Sequence, residues 1–139
     1  FSTTNINQKK NYLVPDLKSR IKKDKDNLIF KNLNHYRDFI SMKDLSKLIF
    51  ILLNKNFKGI INMASGKSVH LKLIAKILLK KFNKNNYKFK DNKKPTYLIA
   101  NIDKLKKVCG YKSKIEIKDM LFKWKLVLII TFSYIKIMK

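Results

Sequence analysis

Apolar residues recur at helical spacing in three stretches of this chain. In RDFISMKDLSKLIFILLNK (37–55), Leu45, Leu48, Ile49, Leu52 and Leu53 repeat every three or four positions. Ser41 and Asp44 precede them as an S-x-x-D capping signature, so an amphipathic helix is predicted there, with Phe39 and Ile40 as a brief extended piece before it. A second helix is predicted to start at Ser68, its apolar face made of Leu71, Ile74, Ala75, Leu78 and Phe82. The third stretch is short: Asn101 or Asp103 caps a turn or two carrying Ile102, Leu105 and Val108, closed by Gly110 at a left-handed position. Around these, VPDLKSRI (14–21) reads as a helix with Pro15 at its first helical position and Leu17 and Ile21 on one face. A last helix is predicted over about 116–125.

Between the helices lie short β-branched or aromatic runs: NLIF (27–30), GIIN (59–62) and residues 97–100. Helices and strands therefore alternate, which makes the fold class α/β. With three glycines and two prolines in 139 residues there is no linker composition, and residues 1–125 read as one domain. The apolar segment LVLIITFSYIKIMK (126–139) is different. It is shorter than the roughly 18–20 apolar residues of a membrane span, and has neither a helical face nor a cap. A β-strand, an interface segment or residues read from a shifted frame all remain open for it, the last fitting its composition best. Phe1 in place of Met suggests a chain that begins inside a longer protein.

The formal net charge is +24, which at first points to a polyanion partner. All but Arg20 and Arg37 of the 33 basic residues are lysine, however, and they are spread along the whole chain. Lys, Asn and Ile share A/T-rich codons, so biased base composition accounts for the profile without selection for binding. Nucleic acid is the lesser expectation. A single cysteine, Cys109, excludes an internal disulfide and suits a reducing cytoplasm, while His35 and His70 lack metal-ligand spacing.

GIINMASGKS (59–68) has the outline of a phosphate-binding loop. That loop requires four residues between its glycines, whereas six separate Gly59 from Gly66, and Ile61 stands where glycine is needed. What remains is a predicted strand, a turn, and a helix start, with Asn62 at the strand end offering a side-chain amide. An ordinary strand-to-helix connection explains the same residues.

Taken in order, Arg37-Asp38-Phe39-Ile40, Asp44, Ile61-Asn62-Met63-Ala64-Ser65-Gly66, Asp103-Lys104 and Cys109-Gly110-Tyr111 resemble the C-terminal part of NAD-dependent nucleotide-sugar epimerases and dehydratases, extended short-chain dehydrogenases/reductases. YLVPDL (12–17) adds the family's L-[IV]-P segment. The resemblance implies a substrate-binding lobe of a Rossmann-type enzyme. Arg37 would contact the diphosphate of a nucleotide sugar, with Asn62 nearby. Leu13, Val14 and Pro15, together with Leu28 to Phe30, would line the nucleobase pocket. Where the family places a second arginine, this chain offers lysines such as Lys90 or Lys93.

NAD(P) would be held mainly by an N-terminal part. Its glycine-rich turn and Y-x-x-x-K pair do not occur in these 139 residues, so no catalytic residue is assigned here. The complete enzyme would be a cytoplasmic homodimer. Alternatives from other classes are a small basic nucleic-acid-binding protein and an inactive truncated product.

Overall fold

A computed structural model describes residues 2–4, 8–23, 27–113 and 117–122. The 126–139 segment lies outside these residues. Among the described residues, five helices and five strands follow one another as α1 (Leu13–Lys23), β1 (Leu28–Lys31), β2 (Tyr36–Asp38), α2 (Met42–Asn54), β3 (Ser68–His70), α3 (Leu71–Lys81), β4 (Tyr87–Lys90), β5 (Tyr97–Leu98), α4 (Asp103–Cys109) and α5 (Ile117–Phe122).

The strands form two small sheets. β1 pairs with β4 in parallel, Phe30 opposite Phe89. In the other sheet β2 is central, antiparallel to β3 and parallel to β5. Ser2 joins that sheet through a single parallel bridge to Phe39, its N–H donating to the Asp38 carbonyl at 2.9 Å.

The main core lies between α1, α3, α5 and the β1–β4 pair. Val14, Leu17 and Ile21 from α1 meet Ile74, Ala75, Leu78 and Leu79 from α3 over Leu28 and Phe30. A second cluster gathers Ile40, Leu48, Ala64, Ala100, Ile102 and Leu105 between α2, α4 and the 61–64 segment. Two of its helix caps follow the sequence. Ser41 Oγ accepts from the Asp44 N–H at 3.0 Å, and Gly110 closes α4 with φ +64°. The start of α4 differs from the expectation: its N-cap position is Ile102, which makes no side-chain cap, and Asn101 Oδ1 accepts the Asp103 N–H at 2.9 Å in a local turn one residue before the cap.

Several expectations are corrected. The 59–62 run forms no strand: Ile60 is 87% exposed and its carbonyl accepts from Lys104 Nζ at 2.7 Å. Ile61 and Met63 do pack on the second cluster while Ile60 and Asn62 face out, so the side chains alternate as in a strand. No described strand lies alongside to pair with it, and an extended segment without a partner forms no ladder. Ser68 does not cap a helix but opens β3, and α3 begins three residues later behind His70, which makes no side-chain cap. The extended piece before α2 is Tyr36–Asp38, with Phe39 in the isolated bridge. β4 was not anticipated, although Tyr-Lys-Phe-Lys alternates with period two and half-buries both rings.

Few acids balance the lysines, and aromatic rings take some of the charge. Arg20 lies over Phe30 at 5.2 Å, Lys104 over Phe57 at 5.4 Å and Lys72 over Phe89 at 5.6 Å. Lys72 also pairs with Asp91 at 2.6 Å, and Asp91 Oδ1 accepts the Leu33 and Asn34 N–H groups. The carboxyl of Asp91 is accordingly held below its ordinary value, chiefly by the Lys72 hydrogen bond.

Candidate functional site

The site is built around β2, whose alternation sends neighbouring side chains to opposite faces. Arg37 Nη1 donates to the carbonyls of Tyr36 at 2.7 Å and Thr96 at 3.1 Å. This clamps one arm of the guanidinium on the backbone. Nη2 and Nε have no protein partner among the described residues. Arg37 forms no ion pair with Asp38, which turns the other way toward Ser65, Gly66 and Ala100, nor with Asp44, which accepts from Tyr111.

Arg37 opens into a cleft of about 380 Å³ lined also by Ser2, Thr3, Thr4, Gln8, Tyr12, Leu13, Val14 and Phe39. The Thr3 hydroxyl there is buried without a hydrogen-bond partner. One wall is thus apolar and the other carries a fixed guanidinium and small hydroxyl side chains. That combination suits a ligand with a flat apolar part and an anionic oxygen part.

Of the residues singled out from sequence, the structure brings Arg37, Leu13 and Val14 together in this cleft. It places the others elsewhere. Pro15 is half-buried in the first turn of α1. Leu28 and Phe30, 2% and 0% exposed, point into the main core and not into a cleft. Lys90 sits exposed at the end of β4. Asn62 spends its amide on the Asn101 carbonyl at 3.1 Å, tying the 59–67 segment to the start of α4.

The residue that sequence reasoning passed over is Asp38, 1% exposed. Oδ1 accepts from the Ser65 N–H at 2.8 Å and the Ser65 hydroxyl at 2.5 Å. Oδ2 accepts from the N–H groups of Gly66 at 2.8 Å and Ala100 at 3.2 Å. Lys67 N–H in turn donates to Ser65 Oγ at 3.0 Å. The backbone donors that would cradle a phosphate in a G-K-S loop are therefore consumed inside the protein. The available signal was an acid placed between Arg37 and two apolar residues, in a chain with only nine acids.

A larger cleft of about 640 Å³ lies beyond this turn, lined by Gly66, Lys67, Asn101, Ile102, Lys106, Tyr111, Lys112 and Ser113 among others. Within it Lys106 pairs with Asp103 at 3.1 Å and Tyr111 donates to Asp44 Oδ2 at 3.3 Å, while the Ser113 hydroxyl is buried without a hydrogen-bond partner among the described residues. Burial, with the Asp44 carboxylate nearby, pushes the Tyr111 hydroxyl up to about 12. An unfolded tyrosine ionises near its ordinary value of about 10. Stability from Tyr111 is thus complete below that pH and is lost as pH rises through the folded value. Alkaline unfolding between about pH 10 and 12 should be shallower in Tyr111→Phe than in the wild type, as followed by circular dichroism. Equal slopes would contradict this.

Among the described residues no group of three or more His, Cys, Asp or Glu side chains could hold a metal, and no helix is long and apolar enough to cross a membrane. No family model matches the chain, and no curated protein matches it by sequence. Solved structures do match by shape. UDP-glucuronic acid 4-epimerase from Bacillus cereus, in complex with NAD, shares 24% identity at a TM-score of 0.66 over 82% of this chain and 37% of its own. dTDP-glucose 4,6-dehydratase from Bacillus anthracis, also with NAD, shares 16% at a TM-score of 0.70, covering 88% and 40%. The enzyme WbmG from Bordetella bronchiseptica, in complex with NAD and UDP, shares 18% at 0.67, again covering 88% and 40%. The chain spans about two fifths of the length of these structures, and its fold is that of the C-terminal portion of Rossmann-type NAD-dependent epimerases and dehydratases.

Proposed function

We propose that this chain is the nucleotide-sugar-binding portion of an NAD(P)-dependent sugar epimerase, dehydratase or reductase, a cytoplasmic enzyme whose cofactor is held by a further N-terminal part. The observation that carries the reading is the Arg37 cleft. One guanidinium arm is locked on two carbonyls, leaving the other free beside an unpartnered Thr3 hydroxyl and the apolar wall of Leu13 and Val14. In this reading the free edge of Arg37 holds the diphosphate and the apolar wall receives the base. Holding both fixes the sugar's position before any chemistry at its ring. The similar epimerase and dehydratase structures, and the similar enzyme WbmG with UDP bound, support the substrate class. Asn62, already committed to Asn101, contributes by holding the turn, and Lys67 is dispensable.

Calorimetric titration of the chain with UDP tests this. Arg37→Lys keeps the charge but loses the fork, and should weaken binding about tenfold, equivalent to about 1.4 kcal/mol. Lys67→Ala should leave affinity unchanged. Equal effects from the two variants would remove the cleft from the account.

A further inference from the structure

On the face of β2 opposite Arg37, three aromatic rings stack across the sheet. Tyr36 stands in register with His70 on one side and Tyr97 on the other. The His70–Tyr36 ring centroids are 4.6 Å apart at 21°, and the Tyr36–Tyr97 centroids 4.6 Å apart at 7°. The inner end is fixed, since His70 Nε2 lies 3.1 Å from Asn34 Oδ1. The outer end is open: β5 is an edge strand and Tyr97 is 64% exposed. A large ring held parallel on a supported stack, with its far side in water, is a platform for another planar ring.

Exposed lysines lie on the β1–β4 pair and along the chain that leads from it to Tyr97. Lys31 and Lys90 face each other in the β1–β4 register and are exposed, with Lys88 beside them on the same face. The chain then runs from β4 through exposed Lys93 and Lys94 to Tyr97, three residues on. None of these five ammonium groups has an ion-pair or hydrogen-bond partner among the described residues. Scattered lysines alone say nothing about a partner. A stacked aromatic platform at the end of a lysine track does, because a single polynucleotide strand needs both: cations along its backbone and rings on which its bases stack. Such binding reads no base edges and so has no need of arginine.

We propose that the His70–Tyr36–Tyr97 stack and the adjoining lysines form a single-stranded nucleic-acid site, separate from the Arg37 cleft. A base stacks on the outer face of Tyr97, and the strand's phosphates follow Lys94 and Lys93 toward Lys90 and Lys31. Single strands are preferred to duplexes because paired bases present no free face to the tyrosine.

Fluorescence anisotropy of a labelled twelve-nucleotide oligouridine, titrated with the full chain at several salt concentrations, tests the proposal. Tyr97→Ala should weaken binding about tenfold with an unchanged salt slope, and Tyr97→Phe should restore it. Replacing Lys93 and Lys94 together by Gln should instead flatten the slope of log affinity against log salt by about 1.4, at roughly 0.7 per phosphate contact. Unlabelled UDP at equal nucleotide concentration should not displace the oligomer. The proposal is overturned if Tyr97→Ala binds as the wild type does, if duplex DNA of the same length binds equally tightly, or if UDP displaces the strand.

Discussion

Asp38→Ala should lower the stability of this chain by about 3–5 kcal/mol, the size expected when a buried, fully hydrogen-bonded carboxylate is removed and its donors are left without partners. Four donors converge on that side chain: Ser65 N–H and Oγ–H, Gly66 N–H and Ala100 N–H. They belong to the turn after the 59–62 segment and to the approach to α4, so Asp38 joins β2 to two stretches that share no strand pairing with each other. Against a total of about 5–15 kcal/mol for a domain of this kind, the loss is large. Asp38→Asn keeps the shape and one acceptor oxygen but turns an NH₂ toward N–H groups, and should cost an intermediate amount. Urea midpoints at constant slope measure both. A cost below about 1 kcal/mol for the alanine would mean that the turn is held by other contacts.

Gly66→Ala should cost about 2–5 kcal/mol, combining left-handed backbone strain of about 1–2 kcal/mol with overpacking of about 1–3 kcal/mol. Gly66 has φ +69°, and a methyl group added there would meet Cδ1 and Cγ1 of Ile102 at 2.8 Å. Ile102 cannot give way freely, being 7% exposed in the second core cluster. Gly110 is the internal control. Its φ is +64°, almost the same, yet nothing lies within 4 Å of an added Cβ. Gly110→Ala should therefore show the backbone part alone, and thermal unfolding of the two variants separates strain from collision. Equal costs at both glycines would contradict the close approach of Ile102.

What was legible in the sequence is what local physics decides. Ser41 and Asp44 announced the start of α2 because a cap is a contact between near neighbours. Leu71, Ile74, Ala75 and Leu78 showed their face because helical periodicity is written in the chain itself. GIIN misled because strand-forming residues make a strand only where another backbone lies beside them, and that is not a local property. Ser68 was read as a helix cap for the same reason: its strand exists only through pairing with Asp38.

The site shows the same division. Arg37 stood out as one of two arginines amid lysines, and it lines one cleft with Leu13 and Val14. Leu28 and Phe30 were apolar enough for either a pocket or a core, and only packing decides; here they are core. Asp38 carried no recognisable spacing to its partners, which lie 27, 28 and 62 residues away. Chain distance conceals such a hub, whereas its burial and four donors expose it at once.

The central claim is that the Arg37 cleft holds a nucleoside diphosphate. Following the amide resonances of the chain residue by residue during a UDP titration tests it most directly. The account predicts saturable shifts confined to Ser2–Thr4, Gln8–Val14 and Arg37–Phe39. Shifts centred on Ser65–Lys67 and Lys106–Ser113, around the larger cleft, or spread without saturation over the exposed lysines, would contradict it.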